Sequence, residues 1–272
     1  GDNPNLCFTA HHDTVHRLEG MQNVLVVNDI VSVADATTSS CLGADCTTGI
    51  WLIMNMIEAK VKGVYVIHAA EEVGCKGSRA LVADDPEWLR HIDAVISFDR
   101  FGDKSVITHQ MGLRTASEEF AMSFADALYM SQLVADDGGS YTDSNEYASV
   151  VSECTNISVG YYGQHGVNET QDLVYAEFLC DSLVNADWDM LLFRRDPAVI
   201  EDTWGDWRIS GSGSDEDNIE AIKTMIQDHP HKVAELLDGW GVKYYSLMEE
   251  ADIDDSKYYG DYFNDSEVYR YF

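Results

Sequence analysis

A histidine or a carboxylate stands at five places where a short apolar run ends or a helix begins. No other feature constrains the chain as tightly. LCFTA runs into His11-His12-Asp13, LGADCTTG supplies Asp45, VYVIHAA leads to Glu71-Glu72, AVISF ends at Asp99, and TNISVGYY leads to His165. Between these runs the apolar residues return at helical spacing. That alternation predicts an α/β fold: a three-layer sandwich with a mixed central sheet flanked by helices. Strands are expected over residues 6–10, 24–27, 64–70, 94–98, 105–109 and 155–160, and helices over Thr47–Ala59, Ser117–Tyr129 and Leu173–Phe193. The five stations are 32, 27, 27 and 66 residues apart (13→45, 45→72, 72→99, 99→165), room for a strand, a helix and a return between each. Ligands of open α/β sheets gather beyond the carboxyl ends of strands, so the polar groups are expected to converge there.

Charge excludes several classes of partner. Forty-eight acidic side chains against 17 basic ones give a net charge of −31, which repels phosphate backbones and anionic lipid. Neither nucleic-acid binding nor membrane association is expected. The longest apolar run, Gly49 to Met54, stops at Asn55, short of the roughly 18 residues a spanning helix needs. No secretory leader is read in the sequence, and the six cysteines form no Cys-x-x-Cys pair. A reducing, cytoplasmic setting is therefore expected.

Ser-Gly-Ser-Gly-Ser at 210–214 reads as a linker, and the composition changes near it. Residues 1–204 are expected to form the catalytic domain. Residues 205–272, where acids outnumber bases sixteen to six and seven tyrosines fall, are expected to form a helical, acidic appendage. Such a segment could serve a protein partner or oligomerisation.

Imidazole nitrogen and carboxylate oxygen are ligands that zinc accepts, and two histidines with three acids suit two ions. With His11 and Asp99 on one ion, Glu72 and His165 on the other and Asp45 bridging, each metal has three protein ligands and shares a hydroxide. Asp13 is placed to accept the second ring N–H of His11. Glu71, beside a ligand, is the natural general base. His68, His91 and His109 read as ordinary hydrogen-bonded or surface imidazoles, and Cys46 and Cys75 as small buried residues near tight turns.

FTAHHDTV, LGADCTTG, AAEEVGCKGS, ISFDR and YYGQHGVNET, in this order, resemble the co-catalytic zinc exopeptidases, the superfamily of bacterial leucyl aminopeptidases and zinc carboxypeptidases. The resemblance spans roughly residues 6–190. It implies a zinc exopeptidase or phosphorylase/hydrolase-like sandwich. It also implies His11, Asp45, Glu72, Asp99 and His165 as ligands of two Zn²⁺ (or Co²⁺ or Mn²⁺), Glu71 as base and Asp13 as orienter. The Asp45–Cys46 peptide bond would be cis, as is common in that superfamily. GGSYTDS (138–144) is similar to a Gly-Gly-Thr-Asp-Ala-type segment of the family and is given no role. Only ten residues precede His11, fewer than the family's usual N-terminal elements, which implies truncation, processing or completion by another polypeptide. The 66 residues from Asp99 to His165 leave no room for an inserted dimerisation lid, which favours the compact aminopeptidase-like branch.

The expected activity is hydrolysis of peptide or amide bonds by a di-zinc aminopeptidase. The alternatives are a deacylase of N-acyl amino acids, a carboxypeptidase, or a peptidase-derived binding scaffold without catalysis.

Overall fold

The computed structural model describes residues 5–16, 22–35, 38–84 and 87–199, together with Lys223. The chain divides into two units, Gly1–Ile209 and Ser210–Phe272. The helices expected after the Ser-Gly linker lie outside the described residues.

The strands of the first unit, in chain order, are β1 (Leu6–His11), β2 (Val24–Val27), β3 (Ile30–Val33), β4 (Val64–His68), β5 (Ala94–Arg100), β6 (Ser105–Ile107), β7 (His109–Gln110), β8 (Leu113–Arg114), β9 (Val134–Asp136), β10 (Glu153–Ser158), β11 (Tyr161–Tyr162) and β12 (Thr170–Asp172). Its helices are α1 (Ala44–Glu58), α2 (Lys76–Asp84), α3 (Glu118–Ala127), α4 (Asp143–Glu146) and α5 (Leu173–Val184). The main sheet has the order β4-β1-β5-β10-β6-β9. Its first four strands are mutually parallel, while β6 runs antiparallel to β10. A smaller antiparallel sheet, β11-β12-β3-β2, stands beside it.

Strand alternation builds the layers. Leu6, Phe8, Ala10, Ala94, Ile96 and Phe98 face one side and join Leu52, Ile53 and Met56 of α1, Phe120 and Phe124 of α3, and Leu179 and Leu183 of α5 in one core. Cys7, Val95 and Cys154 face the other side and meet Leu89, Tyr147 and Val151 in a second core. Both faces of β1, β5 and β10 are thus covered, so LCFTA and AVISF read as nearly continuous apolar runs, while the polar Glu153 and Thr155 of β10 are buried with hydrogen-bond partners. A Cβ on Gly49 would lie 2.3 Å from the carbonyl oxygen of Phe98, so only glycine lets α1 sit this close to β5.

The expected sandwich is present, with several boundaries moved; the strand expected over 64–70 ends at His68, and that expected over 155–160 spans Glu153–Ser158. Helix α1 begins at Ala44 rather than Thr47: its N-cap is Gly43 in the left-handed conformation (φ 72°), and the Ala44 N–H is taken up by the distant Glu169 carboxylate rather than by a local capping side chain. Helix α5 ends at Val184 rather than near Phe193. Asn185 caps it there, and beyond the short turn at Trp188–Met190 the backbone of Arg194 and Arg195 is bound by Glu153. The strand expected over 105–109 breaks at Thr108, whose N–H donates to Asp136. All six cysteines are buried free thiols. No helix among the described residues is long and apolar enough to cross a membrane.

Candidate metal centre

Three neighbouring parallel strands deliver the first groups to one edge of the sheet. His11 is the last residue of β1, Asp99 lies at the end of β5, and Glu71-Glu72 occupy the turn just after β4. Asp45 enters from the first turn of α1, and His165 from the loop between β11 and β12, where its backbone takes a left-handed φ of 62°. A bulky residue holds that conformation only where its surroundings impose it.

The structure brings these six side chains together. His11, Asp45 and Asp99 offer ligand atoms within 4.8 Å of one another, and so do Asp45, Glu72 and His165. Asp45 belongs to both trios. A third group, His11 with Glu71 and Glu72, meets the same limit. His165 Nε2 lies 3.0 Å from Asp45 Oδ2 and 3.1 Å from Glu72 Oε1, and His11 Nε2 lies 3.6 Å from Asp99 Oδ1. His11 and Asp45 are buried, whereas the His165 side chain is 47% exposed, so the centre opens to solvent on that side.

The supporting contacts differ from the expected ones at two points. His11 Nδ1 meets the backbone carbonyl oxygen of Asp13 at 3.0 Å, and the Asp13 carboxylate is farther, at 3.7 Å. That carboxylate instead accepts the backbone N–H groups of Glu71 and Glu72, each at 3.0 Å. That turn follows β4, the strand paired in parallel with β1, so the Asp13 side chain meets it across the sheet edge. Second, no cis peptide bond occurs among the described residues. Asp45–Cys46 is trans, because both residues lie in the helical first turn of α1. There the N–H of Cys46 donates to Asp45 Oδ1 at 2.7 Å.

Three side chains around the site carried no assigned role in the sequence. Thr142 Oγ1 donates to Asp99 Oδ2 at 2.8 Å, so the GGSYTDS segment touches the centre directly. Its neighbour Asp143 is buried and accepts from Ser78 Oγ at 2.5 Å. Glu169 is fully buried under the start of α1. The similarity of GGSYTDS to a family segment was the only available signal for the first pair.

Electrostatics show how much negative charge has been collected. Burial, and then Asp99, push Glu71 up to about 8, and burial raises Asp143 to about 7. Asp45 and Glu72 hold the His165 imidazolium up to about 10 against the cost of burial. Burial would push His11 down, yet Asp13 and Asp99 hold it far above its ordinary value. Burial likewise opposes charge on Asp45, but His165 and His11 keep its carboxyl low. Glu72 Oε1 is buried and makes no hydrogen bond, although His165 Nε2 lies 3.1 Å away. A buried carboxylate oxygen left so is costly unless a cation takes it.

The family model described as Peptidase family M28 matches residues 1–147, a span that holds His11, Asp45, Glu71, Glu72 and Asp99. The chain belongs to peptidase family M28. Two solved structures share the M28 chain's fold. Aminopeptidase PepT from Bacillus cereus ATCC 10987 is 13% identical, with 70% of this chain and 81% of that one covered at a TM-score of 0.54. A tripeptidase from Staphylococcus aureus subsp. aureus Mu50 is 12% identical, with the same two shares covered at a TM-score of 0.55. No curated protein matches the chain.

Proposed function

We propose that this M28 peptidase is a di-zinc aminopeptidase. The observation that carries the reading is the position of Asp45, whose carboxylate belongs to two ligand trios at once. His11 and Asp99 would complete one site, and Glu72 and His165 the other. The donor set fits: it is all imidazole and carboxylate, it is half enclosed, and it includes a buried Glu72 oxygen that accepts no hydrogen bond. Bound zinc would supply charge to polarise the scissile carbonyl and to acidify water.

The chain's own groups do the rest. Glu71 sits at the turn beside Glu72, with the Cys75 thiol 3.7 Å from its Oε1. Its task is to take the proton of the attacking water and pass it to the leaving amine. Asp13 orients that turn through its two amide contacts, and Thr142 holds Asp99 in one rotamer. The free α-amino group of a peptide, a cation, is favoured by the surplus carboxylates of the centre. That preference favours aminopeptidase over deacylase and carboxypeptidase action.

The test is turnover of one peptide series with free, acetylated and amidated ends, with zinc measured on the same protein. Cleavage that requires a free amino terminus, by protein carrying two zinc ions, is expected. Preference for acetylated peptides would move the assignment to a deacylase, and inert protein with bound metal to a scaffold.

A further inference from the structure

Helix α1 starts without a cap of its own, because Gly43 has no side chain to offer the free N–H groups of the first turn. The missing acceptor comes from more than a hundred residues away. Glu169 Oε2 accepts from the N–H of Leu42 at 2.7 Å and of Gly43 at 3.0 Å, and Oε1 accepts from Ala44 at 2.8 Å. All three amides immediately precede Asp45. Glu169 itself lies four residues after His165 in the same loop, and its side chain is wholly buried.

We propose that Glu169 is a positioning residue for the metal centre: one carboxylate clamps the turn that presents Asp45 to the loop that presents His165. This role rests on the di-zinc reading. Asp45 and His165 approach from different elements, an α-helix start and an irregular loop, and their 3.0 Å contact requires that the two keep a fixed separation. A carboxylate that accepts three converging N–H groups supplies that constraint. It also places a negative charge at the positive end of the helix. The left-handed φ of 72° at Gly43 is what turns successive amides toward one acceptor.

Glutamine at 169 keeps the shape but replaces one oxygen with an NH₂ group that faces an N–H donor. Zinc affinity is measured by competition with a coloured chelator, alongside amide hydrogen exchange, for wild type, Glu169→Gln, Glu169→Asp and a control, Glu153→Gln. Glu153 is an equally buried carboxylate that accepts backbone amides outside the centre, from Ser117, Arg194 and Arg195. The expected result is a loss of about 10–100-fold in zinc affinity for Glu169→Gln, the usual weight of an outer ligand partner. Faster exchange at Leu42, Gly43 and Ala44 should accompany it, while Glu153→Gln keeps wild-type affinity despite its lower melting temperature. Glu169→Asp, which retains the charge with a shorter reach, should fall between. It carries the test if the glutamine variant does not fold.

Wild-type zinc affinity in Glu169→Gln overturns the proposal. Equal loss in Glu169→Gln and Glu153→Gln also overturns it, since global destabilisation then explains both. A wild type that takes up no zinc sinks the di-zinc reading and this role with it. Equal loading of wild type and Glu169→Gln sinks this role alone.

Discussion

The carboxylate of Asp13 accepts the backbone N–H of Glu72 at 3.0 Å, so the residue two places after one candidate ligand fastens the turn that carries another. Its other oxygen takes the N–H of Glu71. Burial opposes the charge, yet His11 and these two amides hold the Asp13 carboxyl well below its usual range. Asp13→Asn keeps one acceptor and turns an NH₂ group toward the other amide. We expect zinc affinity to fall by about 10–100-fold, with a parallel loss of turnover at limiting zinc. Chelator competition and steady-state kinetics check it, and unchanged affinity would remove Asp13 from the supporting set.

Glu71 separates base from ligand. Glu71→Gln removes basicity and keeps the shape, so zinc content and melting temperature should stay near wild type while turnover drops by about 10²–10⁴. His11, Glu71 and Glu72 also form a close trio. Loss of a zinc ion in Glu71→Gln would therefore mark Glu71 as a ligand instead.

Glu153 anchors the backbone around Arg194 and Arg195 in the first unit. Its buried carboxylate accepts from Ser117 N–H and Oγ and from the N–H groups of Arg194 and Arg195. The Arg195 guanidinium meets the carbonyl oxygens of Arg114, Ala148, Val151 and Ser152. Glu153→Gln turns a donor toward donors, and a loss of about 3 kcal/mol in unfolding free energy is expected. Denaturant titration measures it, and a change below about 0.5 kcal/mol, the range of ordinary surface substitutions, would contradict the buried-anchor account.

Acid sensitivity should show at Asp136. Burial works against its charge, but Ser105, the Gly138 amide and Arg100 lower its carboxyl pKa. A carboxylate lowered in the folded state stabilises above its unfolded pKa of about 3.9 and loses that contribution as pH falls through the folded value. Asp136→Asn should then cost about 1 kcal/mol at neutral pH, and progressively less below about pH 4. A cost that stays constant between pH 7 and pH 3 would mean that the charge contributes nothing.

Local pattern carried the layers and the chemistry of the stations. Alternation along 6–10 and 94–98 sends side chains to two cores, and helical spacing of Phe120 and Phe124 marks α3, because these signals repeat within one element. The kinds of residue at 11, 45, 71, 72, 99 and 165, and their order, are equally visible in the chain. The chain alone does not show how those stations are held. Asp13 binds a turn 58 and 59 residues away, Thr142 reaches Asp99 across 43, and Glu169 caps α1 across 125 to 127. Such contacts leave no periodicity in the sequence, and the same holds for the start of α1 at Ala44, whose cap is tertiary. Hydrophobic burial is written in local alternation, whereas satisfaction of isolated buried N–H groups depends on which distant carboxylate the finished fold brings to them.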